Sequence, residues 1–310
     1  MNIQTLQRKL HTLLHTPRIF WIKLAGSPLF RLFPDRLALK IRYHNVFGRP
    51  LNLRRPQTFN EKLQWLKLYD RRPEYTTLVD KYAAKAHVAA IIGDEHIIPT
   101  LGVWDSFGAI DFDQLPDQFV LKTTHSSGDA VICPDKAFFD RKDARSRLTK
   151  ALRKDYYKVD REWPYRDVPR RILAEAYLTD PASPGGLIDY KLMCFNGKVQ
   201  CTFVCENRFS DQEMTVTVYD NKWRRLPIRR ERPISARDIT RPAHYEEMRA
   251  MAEKLSVTLP FARIDFYEVG GHVWWGEITL YPAGGMEHFY PDEWDEALGR
   301  FLKLPIDEKA

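Results

Sequence analysis

Apolar residues recur every three or four positions along some stretches of the chain and at every second position along others. The first spacing places apolar side chains on one face of a helix, and the second places them on one face of a strand. The clearest helical pattern begins at residue 58, where Thr58 or Asn60 can serve as the N-cap. Helices are predicted at residues 58–68, 75–92, 141–157 and 244–255.

The strand pattern comes in groups that are joined by short turns. Residues 118–124 form an apolar strand, residues 124–129 a loop of small side chains, and residues 130–133 a returning strand. Asn196-Gly197 between two apolar runs is a strong hairpin signal. Further strands are predicted at 171–178, 189–195 and 198–205, and as a hairpin within 262–279. Hairpin-paired strands with helices between the groups favour an α+β protein with antiparallel sheets.

The net charge of +7 on 310 residues is concentrated at the beginning of the chain. Residues 1–50 contain nine Lys and Arg against Asp35 alone, so they carry +8 and leave −1 for the remaining residues. A near-neutral body with a basic leader is not typical of a protein that follows a nucleic-acid backbone, and no nucleic-acid partner is expected. The 44% hydrophobic content indicates a globular chain with one large core or two joined domains.

The basic leader, residues 1–50, mixes its charges with apolar residues. Lys23, Pro28 and Arg31 interrupt it before the ~20 apolar residues that a membrane span needs. A secretory signal is not expected, since basic residues continue through the apolar stretch. Two interpretations stay open: a helical layer packed on the body, or a basic amphipathic segment resting on an anionic membrane surface. The four cysteines show no metal-site spacing, which favours free buried thiols and a cytoplasmic protein, with peripheral membrane contact as the open alternative.

Two carboxylates, Asp265 and Glu277, lie on the two strands of the last predicted hairpin. Carboxylates on one face of neighbouring strands can hold Mg²⁺ against phosphate oxygens. Residues opposite one another share a face, so the turn decides the outcome. We expect an odd-length turn, or a bulge with the same effect, because a two-residue turn at Gly270-Gly271 alone would place the carboxylates on opposite faces.

Other charged residues carry weaker signals. Lys122 ends an apolar strand directly before the small-residue loop, where a cation and free backbone amides can hold phosphate. A solvated lysine at a strand end is the plain alternative. Glu175 can accept hydrogen bonds from an adenosine edge, or it can be a surface residue of an edge strand. Lys81 and Lys191 each carry little information alone.

Taken in order, these residues belong to a set of longer motifs. They are Thr58-Phe-Asn-Glu-Lys-Leu-Gln-Trp-Leu66, Asp80-Lys-Tyr82, Leu121-Lys-Thr-Thr-His-Ser-Ser-Gly128, Asp189-Tyr-Lys-Leu-Met-Cys-Phe-Asn-Gly-Lys198 and Gly276-Glu-Ile-Thr-Leu-Tyr-Pro-Ala-Gly-Gly285. The set resembles the TupA-like ATP-grasp family, which is named for a teichuronopeptide biosynthesis protein. The resemblance covers about residues 55–305 and depends on the order of the motifs, since none is specific alone.

The resemblance implies an α+β ATP-grasp fold in which two antiparallel-sheet subdomains enclose ATP. The implied segments are the basic leader 1–50, a helical part 51–117, a lid subdomain 118–178 and a C-terminal subdomain 179–305 that contains the metal site. ATP and Mg²⁺ are the implied cofactors. The implied reaction is ATP-dependent ligation of a carboxylate to an amine through an acyl phosphate.

The family also implies a role for each matching residue. Lys81 and Lys122 would contact phosphates, and Lys122 and Arg263 would act in catalysis on the transferring phosphoryl group. The lid would contain Thr124, Ser126, Ser127 and Gly128, and the adenosine would contact Glu175, Tyr177 and Leu178. Lys191 would face the nucleotide, and Mg²⁺ would be held by Asp265, Glu277 and Thr279. Superfamily members usually have Asn where this chain has Thr279, so we expect weaker binding of one metal ion.

The family's context suggests that an amino acid is joined to a carboxylate-bearing sugar or peptide during surface-polysaccharide assembly. A basic run could hold such an acidic polymer or could simply be a solvated face; it contains Arg224, Arg225, Arg229, Arg230 and Arg232. Two alternatives stay open. A glycosyltransferase would need a parallel sheet and an Asp-x-Asp site, for which only Asp111-Phe-Asp113 is available. A non-catalytic nucleotide-binding homologue is the other.

Overall fold

A computed structural model describes residues 30, 32–180, 186–208 and 213–305. Its helices are α1 (Asp35–Phe47), α2 (Phe59–Tyr69), α3 (Glu74–Val79), α4 (Ala83–Ile92), α5 (Arg141–Arg153), α6 (Tyr157–Asp160), α7 (Tyr245–Ser256) and α8 (Glu293–Phe301). Its strands are β1 (Thr100–Trp104), β2 (Phe119–Thr123), β3 (Val131–Cys133), β4 (Ile172–Ala176), β5 (Asp189–Phe195), β6 (Lys198–Glu206), β7 (Thr215–Asp220), β8 (Arg225–Leu226), β9 (Phe261–Val269) and β10 (His272–Thr279). None of the helices in these ranges is both long enough and apolar enough to cross a membrane.

Helix α2 begins where the sequence predicts it. The Thr58 hydroxyl accepts a hydrogen bond from the Glu61 amide at 3.2 Å, and the Glu61 carboxylate accepts one from the Thr58 amide at 3.3 Å. This reciprocal pair is a capping box, which satisfies two amides that the helix cannot pair. Phe59, Leu63 and Leu66 are buried on the inner face of the helix. The predicted helix and its N-cap Thr58 are confirmed.

The single helix predicted for residues 75–92 is wrong, because the chain leaves the helical conformation at Asp80 (ψ 110°). The Asp80 carboxylate accepts the amide hydrogens of Tyr82 and Ala83 at 2.9 and 3.2 Å, so it starts α4 as a new helix. The Lys81 amide meanwhile donates to the Thr124 carbonyl at 3.1 Å. The helix predicted for residues 141–157 likewise ends at Arg153, and α6 follows as a separate turn.

The first sheet has four antiparallel strands in the order β1-β4-β2-β3. The predicted β2–β3 hairpin is confirmed, with Leu121 opposite Val131. Strand β1, which the sequence pattern did not reveal, lies before residue 118 and pairs with β4. Strand β4 therefore has neighbours on both sides, and the interpretation of Glu175 as a surface residue of an edge strand is wrong.

The second sheet has six antiparallel strands in the order β10-β9-β5-β6-β7-β8. Asn196 and Gly197 join β5 to β6 with positive φ angles of 48° and 76°, as a two-residue hairpin turn requires. Helix α7 packs on this sheet and contributes Met248, Ala252 and Leu255 to the main hydrophobic core. Both sheets are antiparallel, which confirms the α+β class and differs from the parallel sheet expected of a glycosyltransferase.

The β9–β10 hairpin resolves the question of register. Val269 lies opposite His272, so the turn has two residues, and the predicted odd-length turn is wrong. The register then shifts between Trp275 and Glu277, and this bulge at Gly276 places Glu277 opposite Asp265. A Cβ atom at Gly276 would lie 3.1 Å from the Tyr267 ring and 3.3 Å from the Asp265 carbonyl oxygen. The bulge alternative is therefore confirmed, and glycine suits its tight surroundings.

Helix α1 lies in the described part of the basic leader, residues 30 and 32–50, and it packs on the body. Leu39 and Tyr43 are buried in a small core with Leu51 and Leu53, and Arg42 forms an ion pair with Asp160. Residues 1–29 and 31 lie outside the described residues, so the membrane interpretation of that part stays a prediction. The four cysteines are free and buried in strands β3, β5 and β6, as expected.

Candidate nucleotide and metal site

One row of side chains crosses the second sheet at its centre. Phe203, Lys191, Asp265 and Glu277 lie opposite one another on β6, β5, β9 and β10. Opposite positions of antiparallel strands point to the same face, and each strand is about 4.8 Å from the next. The register therefore brings a lysine and both predicted metal carboxylates onto one face of the sheet.

Arg263 binds both carboxylates of this row. Its Nε and Nη2 atoms each lie 2.7 Å from an oxygen of Asp265, and Nη2 also lies 2.8 Å from Glu277 Oε1. Arg263 and Asp265 are two residues apart on β9, so their side chains leave the same face. A guanidinium in this position is suited to charge on a phosphoryl group that binds at the carboxylates.

Lys191 lies on the other side of Asp265. It forms ion pairs with Asp265 and with Asp189 Oδ2, the latter at 2.6 Å. Arg208 also reaches Asp189 Oδ2, at 2.9 Å. The second oxygen of Asp189, Oδ1, is buried without a hydrogen-bond partner. An unpaired buried carboxylate oxygen is costly, and it leaves a lone pair available for a cation or a hydrogen-bond donor.

The two carboxylates of the row differ in their tendency to ionise. Burial raises the pKa of Glu277, but the charges of Arg263, Lys81 and Lys191 outweigh burial and hold that pKa well below its usual range. For Asp265, burial raises the pKa and is not fully offset by Arg263 and Lys191. Glu277 is therefore the firmly ionised member, as a metal ligand needs to be.

These residues fit Mg²⁺ by the chemistry of their donors. Asp265, Glu277 and Thr279 offer carboxylate and hydroxyl oxygens, and Thr279 Oγ1 lies 3.4 Å from Glu277 Oε1. Mg²⁺ prefers oxygen ligands, and it is often held by one or two carboxylates together with phosphate oxygens and water. Within the described ranges no group of three or more His, Cys, Asp or Glu could hold a metal. The donor set thus suits a metal ion that arrives with phosphate.

A second charged cluster lies on the first sheet. Glu175 is buried, with Lys85 2.7 Å from its Oε1 atom and Lys122 paired to its Oε2 atom. Burial raises the pKa of Glu175, but the two lysines outweigh this effect and lower it overall. Glu175 therefore holds two ammonium groups in place. Its contact with adenosine stays a prediction, as does the role of Tyr177 and Leu178, which are half-buried directly after β4.

The loop of residues 124–129 is anchored at its base. Asp129 accepts hydrogen bonds from the Thr123 amide at 3.1 Å and from the Ser126 hydroxyl at 2.9 Å. The Thr124 hydroxyl donates to the Pro169 carbonyl at 2.6 Å, so it serves to attach the loop. Ser127 and Gly128 at the tip are exposed. A fixed base with an exposed tip fits the predicted lid.

Lys81 links the two clusters. Its ammonium group donates to the Ser126 carbonyl oxygen. Burial lowers the pKa of Lys81, whereas the charges of Glu277 and Asp129 raise it, so the ammonium lies within reach of both carboxylates. Lys81 therefore lies between the loop on the first sheet and the carboxylate Glu277 on the second.

Some residues of these clusters escaped prediction. Lys85 lies within the helix predicted for residues 75–92, where no local pattern distinguishes it from other lysines. Asp129 ends the small-residue loop, where an Asp commonly accepts backbone amides. The alternative metal motif, Asp111 and Asp113, is exposed in a loop, with the Asp113 amide 3.0 Å from Asp111 Oδ1.

Comparison with known proteins gives one strong match. The profile of the family described as TupA-like ATPgrasp matches residues 61–303. No curated protein matches the chain. Among solved structures, D-alanine–D-alanine ligase from Bacillus anthracis complexed with ATP aligns at 13% identity and a TM-score of 0.38, covering 66% of this chain and 54% of that one. The L-amino acid ligase from Bacillus licheniformis aligns at 12% identity and a TM-score of 0.43, covering 73% and 49%. These structural likenesses are too weak to bear on function.

Proposed function

This chain belongs to the TupA-like ATP-grasp family, and from that premise we propose that it is an ATP-dependent carboxylate–amine ligase. The observation that supports this most directly is the contact of one arginine, Arg263, with the two carboxylates Asp265 and Glu277 on one face of a sheet. Phosphoryl transfer requires cations and a metal around the moving phosphate and no protein nucleophile. The two clusters supply this environment.

In the proposed reaction, a carboxylate oxygen of the substrate attacks the γ-phosphorus of ATP, and ADP leaves with its bond electrons. Mg²⁺, held by Asp265, Glu277 and Thr279, would neutralise part of the phosphate charge. Lys81 and Lys122 would bind phosphate oxygens from the opposite side, and Arg263 would stabilise the transferring group. The resulting acyl phosphate is then attacked by an amine, and phosphate leaves.

The carboxylate substrate is proposed to be an acidic polysaccharide or its precursor. A groove of about 460 Å³ is lined by residues 229–233 and Tyr290. The Arg230 guanidinium lies 5.1 Å from the centre of the Phe203 ring, which is in the same row as Lys191 and Asp265. Arg229 lies 5.3 Å from the Tyr290 ring centre. An acidic chain lying in this groove would approach the row of side chains at Phe203, two strands, or about 10 Å, from Asp265.

The arginines of the basic run fall into two groups, those that line the groove and those that do not. Arg224 pairs with Asp220 at 2.7 Å, and Arg225 donates to the Ser235 carbonyl at 2.5 Å, so both are engaged away from the groove. Arg229, Arg230 and Arg232 line the groove itself, where the Arg230 guanidinium is already paired with Glu287, so Arg229 and Arg232 are the arginines proposed to meet a substrate carboxylate. Arginines that line a groove with an aromatic ring suit a sugar acid, because the guanidinium binds carboxylate and the ring packs against a sugar face.

We propose that the enzyme acts in the cytoplasm, where ATP is available and its four free thiols stay reduced.

The nucleotide site is tested by calorimetric titration with ATP, with and without Mg²⁺. Wild type is compared with Lys122→Ala and Glu277→Gln, and with the exposed Lys222→Ala and Glu296→Gln as matched controls. We expect micromolar Mg²⁺-dependent binding, about −8 kcal/mol, that both site variants lose and both controls keep. Binding that is absent, or indifferent to Lys122→Ala and Glu277→Gln, would contradict the proposal.

Turnover is tested separately by Mg²⁺-dependent ADP release with pairs of uronic acids and amino acids. ADP release that requires both partners supports the ligase. ATP binding without ADP release for any pair favours a non-catalytic homologue.

A further inference from the structure

Three aromatic rings form a line that leads away from the arginine-lined groove. Tyr290 lines the groove and is 39% exposed, and its ring is nearly parallel to that of His288, at an angle of 19° with centroids 6.2 Å apart. The His288 ring lies 4.9 Å from the ring of Phe47 at the end of α1. His288 and Phe47 are half-buried, so each keeps part of its surface in contact with solvent. We call Phe47, His288 and Tyr290 the aromatic track.

Each end of the aromatic track carries an arginine. The Arg229 guanidinium lies 5.3 Å from the centre of the Tyr290 ring, and the Arg49 guanidinium lies 5.8 Å from the centre of the Phe47 ring. Arg229 is exposed and forms no ion pair with any residue that the structure describes. The Arg49 side chain is 48% exposed, and its contact with Asp295 is 3.5 Å long. Guanidinium groups in these positions can still bind an anion.

The segment that contains His288 and Tyr290 is fixed to the body at both ends. The Glu287 amide donates to Asn60 Oδ1 at 3.0 Å, and Asn60 Nδ2 donates to the Glu287 carbonyl at 2.8 Å. Tyr290 and Arg229 exchange two backbone hydrogen bonds, of 3.0 and 2.8 Å. A surface held in this way needs little ordering when a ligand binds, so the track is preorganised.

Packing of the protein explains only the first ring of the track. Phe47 packs against the small core that contains Tyr43, with ring centroids 4.5 Å apart, so it helps to attach α1. Tyr290 belongs to none of the hydrophobic clusters of the described residues. Exposed rings scattered singly are ordinary, but a connected line that ends in a groove is typical of a binding surface.

We propose that the acidic substrate is a chain of several sugar residues, and that the aromatic track binds the residues next to the one in the groove. This inference rests on the proposed ligase function and assigns the extended part of its carboxylate substrate. Sugar rings would pack on the three aromatic rings, and Arg229 and Arg49 would pair with sugar carboxylates. Since steps of 4.9 and 6.2 Å separate the aromatic rings, one sugar ring cannot cover all three, whereas an oligosaccharide can.

The charges along this path favour an acidic chain over a neutral one. Arg229 and Arg232 line the groove without an ion pair to a described residue, and Arg49 lies at the far end of the track. Glu231 is the acidic residue of the groove lining, so the cations are in excess. Because they are spread along the path, one chain can pair with several of them at once. Linked contacts of this kind raise affinity well above that of a single contact.

The test measures binding of sugar acids of different length by calorimetry, without ATP or Mg²⁺, so that the result does not depend on turnover. The probes are D-galacturonate, hexagalacturonate and a hyaluronate hexasaccharide, with maltohexaose as the neutral control. We expect wild type to bind one of the acidic hexamers about 100-fold more tightly than the monomer, as linked contacts predict. Maltohexaose should bind more weakly than that hexamer, because it lacks carboxylates.

Two variants locate the binding on the track. Arg49→Gln should weaken hexamer binding about tenfold and leave monomer binding unchanged, because Arg49 lies beyond the groove lining. Tyr290→Ala should weaken both, since Tyr290 lines the groove. The matched controls are Arg241→Gln, whose guanidinium is 4.9 Å from the Tyr245 ring centre, and Tyr69→Ala, which is 48% exposed. Both controls should bind like wild type.

The track is refuted if wild type binds neither acidic hexamer, or binds both no more tightly than D-galacturonate. Equal losses for monomer and hexamer in Arg49→Gln, or equal binding of maltohexaose and the acidic hexamers, would also refute it. Failure of the ligase would look different. Hexamer binding that depends on Arg49, without ADP release from MgATP, hexamer and amino acids, would support the track and contradict the ligase.

Discussion

Replacement of Arg263 by Ala should destabilise the fold and make its stability dependent on Mg²⁺. The guanidinium makes contacts of 2.7, 2.7 and 2.8 Å with Asp265 and Glu277. Removal of one partner from a buried ion pair costs about 3–5 kcal/mol. Asp265 keeps its ion pair with Lys191, and the Glu277 side chain is 33% exposed, so water can solvate it. The loss of the guanidinium is therefore partly compensated at both carboxylates. We therefore expect a loss near the lower limit, about 3 kcal/mol.

Mg²⁺ should restore part of that loss, because a bound cation would replace the charge of the guanidinium between the carboxylates. A ligand at one hundred times its dissociation constant stabilises the native state by about 2.7 kcal/mol. Wild type should gain less, since Arg263 competes with the metal for the same oxygens. The assay is urea unfolding of wild type and Arg263→Ala in EDTA and in excess Mg²⁺.

A control is available in the exposed ion pair of Arg166 with Asp167, whose side chains are 54% and 57% exposed and lie 2.9 Å apart. Loss of an exposed pair costs about 0.2–1 kcal/mol, and Arg166→Ala should not respond to Mg²⁺. The reasoning is refuted if Arg263→Ala loses no more stability than Arg166→Ala, or if Mg²⁺ stabilises the variant no more than wild type.

Three further predictions concern local features. Gly276→Val should cost about 1–3 kcal/mol of unfolding free energy, because its side chain would crowd Tyr267 and Asp265, and it should weaken Mg²⁺-dependent ATP binding; unaltered values of both would show that the bulge tolerates a side chain. Thr58→Ala should cost about 1 kcal/mol through loss of the cap of α2, and an unchanged urea midpoint would contradict this. Glu162 has a native pKa raised by burial to about 8 against 4.5 when unfolded, so the stability of wild type relative to Glu162→Gln should fall as pH rises through that interval; a difference independent of pH in urea titrations would argue against the buried neutral carboxyl.

Sequence patterns predicted the features of the fold that depend on residues close together in the chain. The capping box of α2, the Asn196-Gly197 turn and the β2–β3 hairpin each involve partners a few residues apart. The break at Asp80 escaped prediction because distant groups support it. The Lys81 amide binds the Thr124 carbonyl, and the Asp80 carboxylate lies 3.3 Å from Arg171. A continuous helix would lose both contacts.

For the candidate site, the sequence by itself supplied the candidate carboxylates and lysines and the order in which they occur. Whether Asp265 and Glu277 share a face depended on a bulge that alternation alone does not reveal. Only the tertiary structure paired Lys85 with Glu175 and left the Oδ1 atom of Asp189 buried without a hydrogen-bond partner. A charged side chain acts through the groups around it, and those groups come from distant parts of the chain whose positions only the packed fold defines.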